Sequence, residues 1–175
     1  MRKEYGKIAR KLFLDNAKEK LPAFIARSDL KDALLPGEIA LSQDLNQISA
    51  FIIFVPIRRG DDAFTIECGW STRMKFPANL NRPTGFLFKP VREISDTNYF
   101  FQLSNLENKP DFWWVIEKHD GSLDFIINGP KPVTAEEARG RIDPLMNDAF
   151  NTIKRLALPF FDELDQHFET MKSNS

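Results

Sequence analysis

From Lys3 to Ile25 the apolar residues Tyr5, Ile8, Leu12, Phe13, Leu21 and Phe24 recur close to helical spacing, with lysines and arginines between them. That spacing predicts an amphipathic helix that ends or bends near Pro22. A second, shorter helix is expected from Ser28, whose hydroxyl suits the cap of a segment over Asp29 to Leu35, with Pro36-Gly37 as its stop. Then the period changes to two. FIIFVPI, residues 51 to 57, is apolar at every other position and between, as a central strand covered on both faces should be. FTIECGW alternates Phe64, Ile66, Cys68 and Trp70 against Thr65, Glu67 and Gly69, and the intervening Arg58-Arg59-Gly60-Asp61-Asp62 reads as a turn joining two hairpin strands.

Further along, FWWVIEKHDGSLDFIING places Asp120-Gly121 between two strand-like runs, a hairpin signal closed by Asn128-Gly129-Pro130. Adjacent strand residues point to opposite faces, so one of Trp113 and Trp114 is expected in the core. Thr134 ahead of Glu136 and Glu137 suits a helix start, and Asp143-Pro144 suits another. Ala149, Ile153, Leu156, Phe160, Leu164, Phe168 and Met171 continue a helical stripe through Pro159, where a missing backbone donor predicts a kink. The order helix, strands, helices predicts an α+β fold. It is expected as a single domain over 1–175, a mostly antiparallel central sheet with the N-terminal amphipathic helix and C-terminal helices packed on it. Residues 171–175 read as a disordered tail.

Composition adds limits. Sixteen Phe and three Trp among 42% hydrophobic and 28% charged residues describe a globular chain with an aromatic core. A net charge of −1 supplies no global field for nucleic acid or an anionic membrane, so any such attraction must be local. One cysteine, Cys68, excludes an intramolecular disulfide and a cysteine-rich zinc site, and points to a reducing, cytoplasmic setting. No stretch approaches the ~20 apolar residues of a membrane span. The ends differ in sign: residues 1–20 carry seven basic and three acidic side chains, residues 161–175 one and four. Two oppositely charged helices side by side would account for this.

Catalytic signatures are wanting. The eight glycines form no phosphate-binding loop, and His119 and His167 lack paired metal-ligand spacing, so neither a nucleotide cofactor nor a metal is expected. Cys68 shares a strand face with Phe64 and Ile66 and reads as a small buried hydrophobe. Ser71 follows Gly69-Trp70 without the second glycine of a nucleophile elbow. Asp61, Asp62 and Glu67 would resemble a nuclease core if a lysine stood two residues after the glutamate, where Gly69 stands instead. Glu107 and Lys109 have that spacing in a Pro-flanked loop. Asp61 and Asp62 are expected to solvate a turn and to pair with Arg58 or Arg59.

One asymmetry is left. Residues 71–92 carry Arg73, Lys75, Arg82, Lys89 and Arg92, five cations with no acid, interleaved with Phe76, Phe86 and Phe88. Basic with aromatic is the composition of a surface that meets an acidic protein partner or grips phosphates and bases. With Trp70 at the strand end, these five cations form the candidate binding set. The phenylalanines turned inward, with the cations solvating a loop, is the competing reading.

The helix, sheet, helix order with FTIECGWS, a loop to FP, DFWWVIE and LALPFFDEL, within about residues 50 to 165, resembles small uncharacterised bacterial α+β domain proteins. Some of these are grouped with polymorphic-toxin immunity proteins or phage-defence genes. The resemblance implies a binding protein without catalytic residues. A non-enzymatic protein-binding module is therefore the leading expectation. A nucleic-acid-binding protein using the same cations comes second, and a hydrolase or nuclease with a site not evident in the sequence third.

Overall fold

The computed structural model describes residues 1–30, 32–57, 61–73, 76, 98–109, 112–119, 121, 122, 127, 129 and 131–173. Helix α1, Lys3–Lys20, stops where the Leu21 N–H closes on the Ala17 carbonyl at 2.9 Å, and Pro22 cannot extend it. The segment after Ser28 is shorter than its spacing predicts, a single 3₁₀ turn at Ser28–Leu30. Leu30 and Leu34 are drawn onto the sheet instead.

Six strands lie among the described residues: β1 (Ile25–Ala26), β2 (Ile39–Asp44), β3 (Ser49–Pro56), β4 (Asp62–Ser71), β5 (Asn98–Gln102) and β6 (Trp114–Glu117). Every pairing is antiparallel, in the order β1-β2-β3-β4-β5. β6 shares the outer edge of β4 with β5, meeting Asp62 to Phe64 while β5 meets Glu67 to Ser71. The expected hairpin of β3 and β4 is present, although residues 58–60 of its turn lie outside the described residues. After β6, Gly121 takes the positive φ of 64° that a turn favours, while most of the following run, 123–126 and 128, lies outside them.

A 3₁₀ turn, Leu103–Glu107, follows β5. Helix α2, Ala135–Thr152, opens on a full capping box: the Glu137 N–H donates to Thr134 Oγ1, and the Thr134 N–H to Glu137 Oε2. Pro144 does not start a new helix. It sits inside α2, where its missing N–H leaves only the carbonyl of exposed Gly140 to be satisfied by water. Just before Pro159, where a kink is expected, the backbone forms a π-helical turn over Ile153–Ala157, with the Leu158 N–H donating to the Ile153 carbonyl. Helix α3 then runs Leu158–Ser173, so Met171 to Ser173 are helical rather than a disordered tail.

Strand parity sorts the sheet into two faces. Leu41, Ile52, Cys68 and Phe101 stand in one cross-strand row and join the main core under the helices. Phe13 bridges that core, its ring 5.4 Å from Phe54 on the sheet and 5.4 Å from Phe150 on α2. The helical neighbour of α1 is α2, so the charge contrast between the chain ends does not come from α1 lying along α3. Trp114 is the tryptophan that enters this core, and Trp113 is half-buried. On the opposite face Ala40, Phe51, Ile53 and Phe100 form a second apolar cluster with Leu30, Leu34, Val55 and Phe76. All ten residues of β4 are buried as a result.

At the end of the sheet nearest Ser71, the buried carboxylate of Asp165 on α3 accepts from the backbone N–H groups of Gln47 at 2.6 Å, Ile48 at 3.2 Å and Asn46 at 3.3 Å. This pins the β2–β3 turn to the helix layer. At the centre of β4, Cys68 has no exposed surface, and burial, helped by the adjacent Glu67, pushes its thiol pKa well above the ordinary range. Thiol labelling of the native protein should therefore be slow and should accelerate on addition of denaturant, with rapid native labelling contradicting this strand phase.

Candidate functional site

The candidate set begins where β4 ends, and its geometry starts from a missing side chain. A Cβ placed on Gly69 would lie 2.3 Å from the ring of its cross-strand partner Phe100, closer than atoms can approach. Glycine is thus required here because an aromatic ring lies directly over the backbone, not because the strand leaves the sheet, which it does at Ser71. Phe100 stacks on Phe51 at 6.0 Å, and Phe76 closes the group edge-on, 5.1 Å from Phe51 and 5.6 Å from Phe100.

Of the sequence-derived binding residues, Trp70 faces the main core. It is 2% exposed, its ring 5.3 Å from Phe168, and its indole nitrogen has no hydrogen-bond partner among the described residues. It supports the strand end from behind and offers no contact surface. Arg73 is exposed, in a turn where its N–H donates to Ser71 Oγ at 3.2 Å. Lys75, Arg82, Lys89 and Arg92 lie outside the described residues, as do Phe86 and Phe88. Phe76 takes the inward orientation that the competing reading gave to the phenylalanines.

The opposite end of β4 holds the ionic centre that sequence reasoning misplaced. Asp62 is fully buried. Its Oδ1 accepts from the Arg2 backbone N–H at 2.5 Å and its Oδ2 from Arg2 Nε at 2.6 Å, with His119 Nε2 3.2 Å from the same Oδ2. Asp61 does not solvate a free turn either, since its Oδ1 accepts the backbone N–H of His119 at 2.7 Å. Arg2 pairs in addition with Glu117 at 2.7 Å, and its guanidinium lies 4.6 Å from the Tyr5 ring centre. The Tyr5 hydroxyl donates to Glu117 Oε2 at 2.6 Å and accepts from Arg141 Nη1 at 2.6 Å, while Arg141 also pairs with Glu117.

Burial alone would raise the Asp62 pKa, but the Arg2 hydrogen bonds and the His119 contact outweigh it and hold the carboxyl below its usual range. The network joins the start of α1 to β4, β6 and α2. Its carboxylates are spent on these partners, which makes it a structural lock. Among the described residues no three His, Cys, Asp or Glu side chains are grouped to hold a metal ion. No helix among them is long and apolar enough to cross a membrane.

The signal for Asp62 was available. It has the same parity as Phe64, Ile66, Cys68 and Trp70, so the alternation that turns Cys68 inward turns Asp62 inward too. Glu67, of opposite parity, is 6% exposed on the second face. Comparisons with known proteins find no matching family model, no matching curated protein and no matching solved structure.

Asp62→Asn should cost about 3 kcal/mol or more at neutral pH, because Arg2 loses a buried countercharge. A carboxyl whose folded pKa is depressed stabilises the fold above the ordinary carboxylate range and ceases to do so as pH falls through the folded value. Denaturant unfolding of wild type and Asp62→Asn should therefore converge on strong acidification, and an equal gap at both pH values would contradict the lock. At the other end, Gly69→Ala should destabilise by about 2 kcal/mol through overpacking, the reverse of the gain alanine normally brings to a strand. The added penalty should largely vanish in a Phe100→Ala background, measured as a double-mutant cycle.

Proposed function

We propose that the protein is a non-enzymatic binding module that docks an acidic protein partner on the basic stretch following β4. The observation supporting this is the pairing of Arg73, exposed, with Phe76, seated on Phe51 and Phe100 three residues later. Arg73 is thus held close to the rigid sheet, and a charge held in place loses less freedom on binding than one on a free loop. Cations without neighbouring acids accelerate encounter with an acidic partner at low salt. In the group of bacterial domains the chain resembles, such a module would serve toxin immunity or phage defence.

Nucleic acid as the partner would use the same cations. The inward packing of Phe76 favours protein, since that ring is spent on the sheet and not free to stack on bases. Salt dependence separates the two: five phosphate contacts on duplex DNA would give a log-log slope near roughly −4.5.

The test is capture of partners from the native host by wild type and by the double variant Arg73→Glu, Lys75→Glu. Charge reversal should weaken the captured interaction by about 2 kcal/mol or more, roughly thirtyfold, with the melting temperature nearly unchanged. Equal recovery by both proteins would remove the basic stretch as the docking surface.

A further inference from the structure

Between the Leu103–Glu107 turn, β6 and the end of α2 lies a cavity of about 160 Å³. It is separate from both ends of β4 discussed above. It is roughly half the ~300 Å³ lower bound of drug-sized ligand pockets, too small for a nucleotide and suited to a small metabolite. Its aromatic wall is a corner in which Phe112 meets Trp114 edge to face, ring centres 5.0 Å apart. Asp148 of α2 lines the cavity, and its Oδ2 accepts the Trp114 indole N–H at 2.8 Å. No described residue donates to the other oxygen of Asp148.

The remaining wall is ionic. Glu107 accepts from Arg155 Nη1 at 2.5 Å and from Lys109 Nζ at 3.0 Å, so that two cations are gathered on one carboxylate. Arg155 sits in the π-helical turn, a widened geometry that recurs at functional sites. Lys109 and Arg155 are both more than half exposed, which leaves their other N–H groups available. Ser104, also in the lining, has a buried hydroxyl without a partner among the described residues.

The charges decide the class of ligand. Two carboxylates and two cations sum to zero, so a simple anion would meet Glu107 and Asp148 and a simple cation would meet Lys109 and Arg155. An apolar molecule would strip water from four ionic groups and return nothing. A molecule carrying both charges satisfies both sets. We propose that this cavity binds a small zwitterion, a free α-amino acid, with its ammonium on Asp148 beside the aromatic corner and its carboxylate on Arg155 and Lys109. An ammonium gains both the carboxylate and the ring faces there, and guanidinium with carboxylate is a matched planar pair. Glu107 holds the two cations together, and the ligand carboxylate shares them.

The experiment is a panel of the standard free L-amino acids, read by thermal shift and then by calorimetry. At least one should raise the melting temperature and titrate saturably, and its N-acetyl and C-terminal amide analogues should each bind about tenfold or more weakly, each having lost one charge-assisted contact. Arg155→Gln and Asp148→Asn should weaken binding by a similar factor. Because Asp148 also supports Trp114, Lys109→Gln on the exposed turn is the variant whose loss of binding is expected with an unchanged melting temperature. Arg73→Glu with Lys75→Glu should leave amino-acid binding intact, so this inference and the docking surface fail independently. No thermal shift with any amino acid, or equal binding by both capped analogues, would overturn the assignment.

Discussion

A strand with no solvent-facing residue has strands along both edges and packing over both faces, and β4 has all of these. β3 runs along one edge for its whole length. The other edge is divided between β6 and β5. With both edges paired and both faces covered, any side chain on β4 must fit a fixed space. Gly69 is the sharpest case: the second face is closed by Phe100 lying where a Cβ would be. Cys68, on the other face of the same strand, is held away from solvent.

The sheet is tied to its helices by two buried carboxylates near opposite ends of β4. Asp165 gathers backbone donors of the β2–β3 turn, and Asp62 gathers Arg2 at the entrance to α1. Burying a carboxylate costs several kcal/mol unless its oxygens are filled, and filling them makes its position highly specific. Ring packing such as Phe13 between Phe54 and Phe150 is less directional, each buried ring contributing roughly 2 kcal/mol with more freedom in how it fits. The rings hold the layers together while the carboxylates fix which helix end meets which strand end.

Much of the fold was legible because β3 is a continuous apolar run, β4 alternates with period two, and α1 and the stretch from Ala149 to Met171 carry helical stripes. What was missed lies where that signal is weak or was not carried through. β2, Ile39–Asp44, mixes Ser42 and Gln43 into a six-residue run and owes its place to pairing with β3 rather than to its own pattern. The short segment after Ser28 has helical propensity but uses Leu30 and Leu34 to cover the second face, and tertiary packing overrode the local preference. Asp62 was read by the rule that acids belong in turns, although parity placed it inward. At the candidate site Arg73 was legible as a surface cation, whereas Trp70, on the inward face by the same parity, was not available for contact.

The π-helical turn joins these themes. Pro159 has no N–H to return to Arg155 in any helical register, and the π-helical turn lies just before it. Widening inserts a residue and resets the phase, and Ile153, Ala157, Phe161 and Leu164 all stay in the core across the proline. The same adjustment leaves Arg155 on the outer side, within reach of Glu107. That cation stands at the rim of a cavity that combines an aromatic corner with charges of both signs.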